Sequence, residues 1–263
     1  MTKKKPFADK IALVTGSGRG IGRSIALHFA SLGANLVINF FRNRNTAEDV
    51  AEKVRKLGRD ALVVKANVGE IDEINHLFRE IEERYGGLDI FVSNAASGYN
   101  RPVMEQKSRG WDWTMNINAR SFLFATQQAV PLMEKRGGGS IVAITSQGGD
   151  RVMPDYVVVG ASKAALNALT RYLAVELAPK NIVVNAVSPG VVETDVLKHF
   201  AVMQKEGLLE NIVENTPAGR LVTPEDVARV VAFLCSPESE MIRGEIITVD
   251  GGLALTMRNV VNY

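Results

Sequence analysis

Short runs of apolar and β-branched residues alternate with longer amphipathic stretches along the chain. Runs in which nearly every position is apolar are typical of strands buried on both faces, as in a parallel sheet. The pattern predicts seven such strands, at residues 11–15, 35–39, 61–65, 88–93, 139–145, 182–188 and 245–250. The stretches between them, such as 47–57 and 71–85, carry apolar residues at helical spacing.

No linker, composition shift or internal repeat divides the 263 residues, so we predict an α/β fold with one domain, residues 1–263. A doubly wound, seven-stranded parallel sheet flanked by helices is expected at its centre. A basic run at residues 3–5 is followed by Pro6 and not by an apolar segment. Residues 1–8 are therefore expected to form a flexible, solvated tail.

Composition and charge exclude several classes of protein. A net charge of +2 gives no reason to expect nucleic acid, and no run reaches the roughly 18–20 apolar residues of a membrane span. Nothing resembles a signal peptide, so a cytoplasmic protein is expected. The single cysteine, Cys235, lies in an apolar run and is expected to pack. The histidines, His28, His76 and His199, lack the spacing of metal ligands, so no metal is expected.

A glycine-rich stretch, TGSGRGIG, follows the first predicted strand at residues 15–22. Gly16 permits a tight turn, Gly20 allows the backbone to approach a pyrophosphate, and Gly22 allows close packing of the next helix. The helix that begins near Gly20 offers unpaired N–H groups and a positive dipole end to phosphate. This stretch, between a strand and a helix, predicts a dinucleotide site.

The residues after the second strand bear on which dinucleotide binds. Selectivity for NAD usually comes from a carboxylate at the end of that strand, where this chain has the neutral Asn39. Arg42 follows shortly afterwards, and Arg19 lies in the glycine loop. Guanidinium groups without a carboxylate suit a 2′-phosphate, which favours NADPH. The alternative is that these arginines only face solvent.

One long helix is predicted over residues 155–177, with Tyr156 and Lys163 seven residues apart near its start. Seven residues turn through about 700°, so the two side chains would share a face, about 10.5 Å apart along the axis. Val159 stands four residues before the lysine.

Together these motifs resemble the short-chain dehydrogenase/reductase family over nearly the whole chain. Other motifs that carry the resemblance are NAAS at 94–97, MNINARSF around Asn118, ITSQGG around Ser146, ASKAAL around Lys163 and SPGVVETD at 188–195. The resemblance implies a Rossmann fold and an oxidoreductase that uses a nicotinamide cofactor. It implies cofactor contacts at Gly16, Ser17, Arg19, Gly20, Ile21, Gly22, Arg42, Asn67, Val68, Asn94, Ala95, Ala96, Lys163, Pro189, Gly190, Val192 and Thr194.

The chain departs from most of that family at its tyrosine. Most members have tyrosine four residues before the lysine, whereas Tyr156 resembles the enoyl-acyl-carrier-protein reductases, which have Tyr, six residues, then Lys. Ser146 stands where the best-known branch of those enzymes has a second tyrosine. Strings such as WDWTMNINA and NTPAGR instead resemble the third bacterial type, the NADPH-dependent FabL-type reductases of bacilli. Asn67 replaces the usual adenine-side aspartate.

The displaced tyrosine suits the chemistry of an enoyl thioester. A ketone receives hydride at the carbon that bears the reacting oxygen, but an enoyl thioester receives it at Cβ, and charge develops on an oxygen two carbons away. The resemblance implies that Lys163 binds the nicotinamide ribose and favours charge on the enolate. Tyr156 is expected to hydrogen-bond the enolate oxygen. Ser146 and Asn118 are candidate catalytic residues, or only structural ones.

The leading hypothesis is therefore an NADPH-dependent enoyl-acyl-carrier-protein reductase of bacterial type II fatty acid synthesis. A 3-oxoacyl-thioester or other carbonyl reductase is the alternative within the family, and a non-enzymatic NADP(H) sensor is the alternative outside it. The family implies a homotetramer joined through residues 156–178 and the C-terminal tail, and a substrate lid at about 193–215. Trp111 and Trp113 fit helix packing better than ligand stacking.

Overall fold

The computed structural model describes residues 5–194 and 207–256, in which seven strands form one sheet. The strands are β1 Ile11–Val14, β2 Asn35–Phe40, β3 Ala61–Lys65, β4 Ile90–Ser93, β5 Gly139–Ile144, β6 Ile182–Pro189 and β7 Ile246–Val249. The helices are α1 Gly20–Ser31, α2 Arg44–Lys56, α3 Ile71–Tyr85, α4 Ser108–Met115, α5 Ser121–Glu134, α6 Val157–Glu176, α7 Leu208–Asn215, α8 Pro224–Leu234 and α9 Leu253–Thr256.

The strand order is β3-β2-β1-β4-β5-β6-β7, and every neighbouring pair is parallel. The predicted doubly wound, seven-stranded parallel sheet in a single α/β domain of Rossmann type is confirmed. The chain leaves β1 toward β2 and β3, and then returns to the other side of β1 to form β4. This reversal opens a crevice beyond the carboxyl ends of β1 and β4, where ligands bind in such sheets.

Successive residues along the strands supply hydrophobic cores on opposite faces of the sheet. In β1, Val14 packs with α1, α2 and α8, whereas Leu13 packs with α3, α5 and α6. Both side chains are fully buried. Because helices cover both faces, the strands have the continuous apolar character from which the sheet was predicted.

The start of the chain corrects one expectation. Of residues 1–8, expected to form a solvated tail, 1–4 lie outside the described residues. Phe7 is buried and meets Phe29 of α1 edge-on, with ring centroids 5.2 Å apart. The Phe7 amide also donates to the Leu32 carbonyl at 3.0 Å. An aromatic ring that covers apolar surface of α1 stabilises this ordered position, since burial of a phenyl group contributes about 1.5–3 kcal/mol.

Two predicted features lie partly outside the described residues. In the predicted lid, 195–206 are outside, and α7 supplies the described part. In the C-terminal tail expected at a subunit interface, 257–263 are outside. Among the helices that the structure describes, none has the length and apolar character required to cross a membrane.

Candidate active site

A single continuous cleft of about 1490 Å³ lies at the carboxyl ends of the central strands. Every residue predicted from the family to contact the cofactor lines it, with the exception of Ser17. Tyr156 and Ser146 line the same cleft. The topology therefore brings the glycine loop, the segment after β4, the turn after β5 and the segment after β6 to one site.

The glycine loop has the conformation that its sequence requires. Gly16 and Gly20 have φ angles of +63° and +53°, in the left-handed region that favours glycine. A Cβ atom on Gly22 would lie 2.5 Å from the Asn94 side chain and 2.7 Å from the Gly16 carbonyl oxygen. No side chain fits there, so Gly22 is needed for α1 to pack against the loop.

The first turn of α1 faces the cleft without a cap. Arg19 occupies the N-cap position, makes no capping hydrogen bond through its side chain, and no acidic residue lies in the first turn. In addition, the buried Ser17 hydroxyl has no hydrogen-bond partner among the described residues. Unpaired N–H groups beside a hydroxyl make a cradle for an anion, which fits the pyrophosphate of a dinucleotide.

Asn39, the neutral residue near the end of β2, is held by hydrogen bonds of its side chain. Its side chain accepts from the Gly16 amide at 3.1 Å and donates to the Ala66 carbonyl at 3.1 Å. The strand continues one residue further, so Phe40 stands at its carboxyl end and lines the cleft. Asn39 therefore fixes the glycine loop to the sheet, and it also lines the cleft. Whether Asn39 or Phe40 is taken as the end of β2, no carboxylate stands there.

The arginines near that strand end differ in their contacts. Arg19 and Arg42 are exposed, line the cleft and form no ion pair with a carboxylate of the described residues. The Arg42 guanidinium lies 5.7 Å from the centre of the Phe41 ring. Arg44, by contrast, is paired with Glu48 at 3.2 Å. Two cations without carboxylate partners thus border the place where the adenosine ribose of a dinucleotide would lie.

Two asparagines hold the neighbouring loops in place. The Asn94 side chain donates to the Thr15 carbonyl at 2.8 Å, which ties the segment after β4 to the glycine loop. Asn67 is buried, and its side chain accepts from the Gly69 amide at 3.0 Å. Asn67 and the adjacent Val68 both line the cleft.

Tyr156 lies at the N-cap of α6, not inside a helix that begins at 155. The predicted spacing of about 10.5 Å along one helix axis therefore does not apply to Tyr156 and Lys163. The phenol oxygen of Tyr156 is 3.5 Å from the Ser146 hydroxyl oxygen. Burial raises the pKa of Tyr156, and the hydrogen bond with Ser146 opposes this rise. The phenol is therefore a protonated hydrogen-bond donor at neutral pH.

Lys163 is buried on the second turn of α6, with 5% of its surface exposed. Its Nζ donates to the carbonyl of Ile144, at the end of β5, at 2.8 Å. Desolvation lowers the pKa of Lys163 to about 8. A buried ammonium group with a single carbonyl partner would be stabilised by a nearby anion.

Val159 and Asn118 both lie outside the wall of the cleft. Val159 is buried against Gly98, where a Cβ atom would come within 2.4 Å of its Cγ2. Asn118 lies in a π-helical turn between α4 and α5, and its side chain bonds both the amide and the carbonyl of Ser97. It also donates to the Ser162 hydroxyl at 2.9 Å. These contacts give Asn118 a structural place between a cleft loop and α6.

Comparison with known proteins decides the family. The family model described as enoyl-(acyl carrier protein) reductase matches residues 16–254. The chain belongs to the short-chain dehydrogenase/reductase family. It is 38% identical to the hydroxynaphthalene reductase-like protein Arp2 of Metarhizium anisopliae, an alignment that covers 94% of this chain and 96% of that protein. It is 36% identical to 1-cyclohexenylcarbonyl-CoA reductase of Streptomyces collinus, over 94% of this chain and 87% of that enzyme.

A solved structure agrees with this assignment. The 7α-hydroxysteroid dehydrogenase complexed with NADH and 7-oxoglycochenodeoxycholic acid superposes with a TM-score of 0.90 and 33% identity, over 96% of this chain and 97% of that one. The protein is therefore an oxidoreductase of the short-chain dehydrogenase/reductase family. Within that family it carries Val159, packed away from the cleft, four residues before its lysine.

Beyond the predicted cofactor contacts, the outer part of the cleft in this family member carries many apolar side chains, most of which are not predicted from the sequence. Its lining residues there are Trp113, Val152, Met153, Pro154, Leu208, Ile212 and Leu253. Trp113, which was expected to pack between helices, faces the cleft and donates from its indole N–H to the Ser97 hydroxyl at 2.8 Å. These residues come from loops and short helices. The hydrophobic periodicity of the sequence does not predict how such segments lie relative to one another.

Proposed function

We propose that the protein is an NADPH-dependent reductase of enoyl thioesters. The observation that carries this proposal is the position of the phenol. Tyr156 reaches the cleft from the N-cap of α6 and meets Ser146, while Val159 is packed against Gly98. The tyrosine proposed to act on substrate thus stands seven residues before Lys163, three residues earlier in the sequence than in most of this family. In an enoyl thioester the thioester oxygen that gains charge lies two carbons away from Cβ, the carbon that accepts hydride. A hydroxyl that donates to this oxygen is expected to lie farther from the nicotinamide than one that donates to a ketone.

In this proposal NADPH, when bound, would supply hydride for reduction at Cβ of the enoyl thioester. The Tyr156 hydroxyl donates a hydrogen bond to the thioester oxygen as negative charge develops there. Its raised pKa keeps the proton available for transfer. Lys163 holds the ribose and, as a cation nearby, stabilises the enolate. The Tyr156 hydroxyl would supply the proton that Cα of the enolate takes up, and solvent would return a proton to the phenol.

The proposed preference for NADPH rests on the charges at the end of β2. That strand ends in Phe40 and not in a carboxylate, and Arg19 and Arg42 border the same part of the cleft. Guanidinium groups bind phosphate through charge-assisted hydrogen bonds. A 2′-phosphate would supply the anion that these arginines lack among the described residues.

Two comparisons support a thioester substrate. The matching family model is described as enoyl-(acyl carrier protein) reductase, and one relative is named 1-cyclohexenylcarbonyl-CoA reductase. The apolar outer cleft would accommodate an acyl chain. We propose acyl carrier protein as the natural carrier and bacterial type II fatty acid synthesis, in the cytoplasm, as the pathway.

The direct test of this function is the fate of a crotonyl thioester. Purified protein with NADPH should convert it to the butyryl thioester, which mass spectrometry identifies by a gain of two hydrogens. Replacement of Tyr156 by Phe should lower kcat by a hundredfold or more, because an oxyanion donor is typically worth about 3–4 kcal/mol. NADPH binding should persist. A Tyr156→Phe variant with near-normal enoyl reduction would contradict the assigned role.

A carbonyl reductase is the second candidate, and a specific observation favours it. Ser146 retains its place beside the tyrosine hydroxyl, and one group of relatives is named hydroxynaphthalene reductase-like. In that case acetoacetyl thioester, and not crotonyl thioester, would oxidise NADPH. A protein that binds NADPH but reduces neither thioester would favour the non-enzymatic sensor.

A further inference from the structure

The Tyr156 ring packs against a glycine in the turn that follows β5, at Gln147–Gly149. A Cβ atom on Gly148 would lie 2.5 Å from Cε1 and 2.6 Å from Cδ1 of the Tyr156 ring. Non-bonded carbon atoms do not approach this closely, so any other residue at 148 would displace the ring or the turn. The edge of the ring rests directly on the Gly148 backbone.

The same turn contacts the hydroxyl end of the tyrosine through Ser146. The Gly148 amide donates to the Ser146 hydroxyl oxygen at 3.2 Å, and the Tyr156 phenol reaches that oxygen at 3.5 Å. Gly160 allows the turn to lie on the first turn of α6, since a Cβ atom there would be 2.8 Å from the Gly148 carbonyl oxygen. Two glycines therefore bring the turn, the ring and the serine together.

The backbone before the tyrosine sets its direction. Asp155 has a φ angle of +58°, a left-handed conformation that is uncommon for a residue other than glycine. Its carbonyl accepts from the Arg101 amide at 2.8 Å, which fixes this bend to the loop after β4. A side chain at an N-cap has no preceding helical turn to pack against. Its orientation therefore depends on the turn that carries Gly148.

We propose that Gly148 is a positioning residue for the displaced tyrosine: by lacking a side chain, it lets the Tyr156 ring settle beside Ser146 and present its hydroxyl to the substrate. The proposal rests on the proposed function only in naming an enoyl thioester as the substrate that accepts a hydrogen bond from this hydroxyl. It gives Gly148 an effect on the chemical step that acts through the phenol oxygen.

A double-mutant cycle tests this coupling. Gly148→Ala is made in the wild type and in the Tyr156→Phe variant, and single-turnover oxidation of NADPH is followed with enzyme in excess. In the wild-type background the substitution should slow the chemical step tenfold or more. In the Tyr156→Phe background it should change the rate by less than twofold, because the hydroxyl that it misplaces is already absent. The Kd of NADPH should stay within twofold in both.

Gly110→Ala provides a matched control. A Cβ atom on Gly110 would lie against the hydroxyl of Tyr99, whose ring does not line the cleft, so the rate should be unchanged. Equal slowing by Gly148→Ala in both backgrounds, or an unchanged rate in the wild type, would overturn the proposal. If the wild type reduces acetoacetyl and not crotonyl thioester, the proposed function fails, but the same cycle run with acetoacetyl thioester still tests the coupling.

Discussion

Lys163 is a buried cation whose ionisation is expected to respond to a bound anion. Its ammonium group is buried with the Ile144 carbonyl as partner, and desolvation lowers its pKa to about 8. Near pH 8 a substantial fraction is therefore neutral without ligand. A dinucleotide brings phosphates into the same cleft and favours the charged form. The pKa of Lys163 should consequently rise on binding.

Binding of NADPH near pH 8 should therefore take up protons, because a bound dinucleotide favours the charged form of Lys163. Calorimetry in two buffers of different ionisation enthalpy measures this uptake. Because protons are taken up, affinity should fall as the pH rises above 8. In the Lys163→Met variant the uptake should be lost. Equal proton uptake in the wild type and in the Lys163→Met variant would show that another group titrates.

Arg42 offers a test of cofactor preference at a single side chain. Arg42→Ala should lower kcat/KM for NADPH tenfold or more, equivalent to about 1.4 kcal/mol, and leave NADH little changed. Arg44→Ala is the matched control, because Arg44 is paired with Glu48 and does not line the cleft. Equal losses with both cofactors would refute the assignment of Arg42 to the 2′-phosphate.

At the scale of elements, the π-helical turn Asn116–Arg120 joins the cleft loop to α6. Asn118 satisfies the amide and carbonyl of Ser97 as well as the Ser162 hydroxyl. Through the Ser97 hydroxyl this arrangement also fixes the Trp113 indole at the cleft. The asparagine thus connects the π-helical turn, the loop after β4 and α6.

Asn118→Ala should destabilise the protein by about 2–3 kcal/mol, because buried polar groups lose their partners. Urea unfolding at one fixed protein concentration measures this loss. Asn116→Ala is the control, since the Asn116 side chain forms no hydrogen bond within the described parts of the chain. An Asn118→Ala variant of normal stability with a large loss of kcat would instead support a catalytic asparagine.

The elements show what the sequence can and cannot predict. Strands such as β3 are continuous apolar runs, and the structure places β3 at the predicted residues, 61–65. The start of α6 was not predictable to the residue, because the left-handed Asp155 that ends the preceding loop carries no periodic signal. Likewise Phe7 reads as part of a charged terminus, and only contact with Phe29 reveals its burial.

At the scale of the whole molecule, exposed apolar residues on α6 bear on assembly. Tyr172 is 69% exposed and Val175 is 75% exposed. Large apolar side chains on one helix are typical of a surface that another subunit covers. The family resemblance implies a homotetramer joined partly through this helix, which remains a proposal for this chain.

Light scattering at micromolar concentration should give the mass of four 28.6 kDa chains, about 114 kDa. Val175→Asp should shift the protein to smaller species, because a carboxylate would be buried at the interface. Val103→Asp, at an exposed position outside α6, should leave the mass unchanged. A wild-type mass of 28.6 kDa would exclude the tetramer.

At the scale of the whole reaction, we propose that the displaced tyrosine makes this fold reduce a carbon–carbon double bond in preference to a ketone. The most direct measurement is a competition in which equimolar crotonyl and acetoacetyl thioesters share one solution with the enzyme and limiting NADPH. Mass spectrometry of the products then reports the ratio of the two kcat/KM values. We predict that butyryl thioester predominates over 3-hydroxybutyryl thioester by tenfold or more. Predominance of the 3-hydroxybutyryl product would contradict this account.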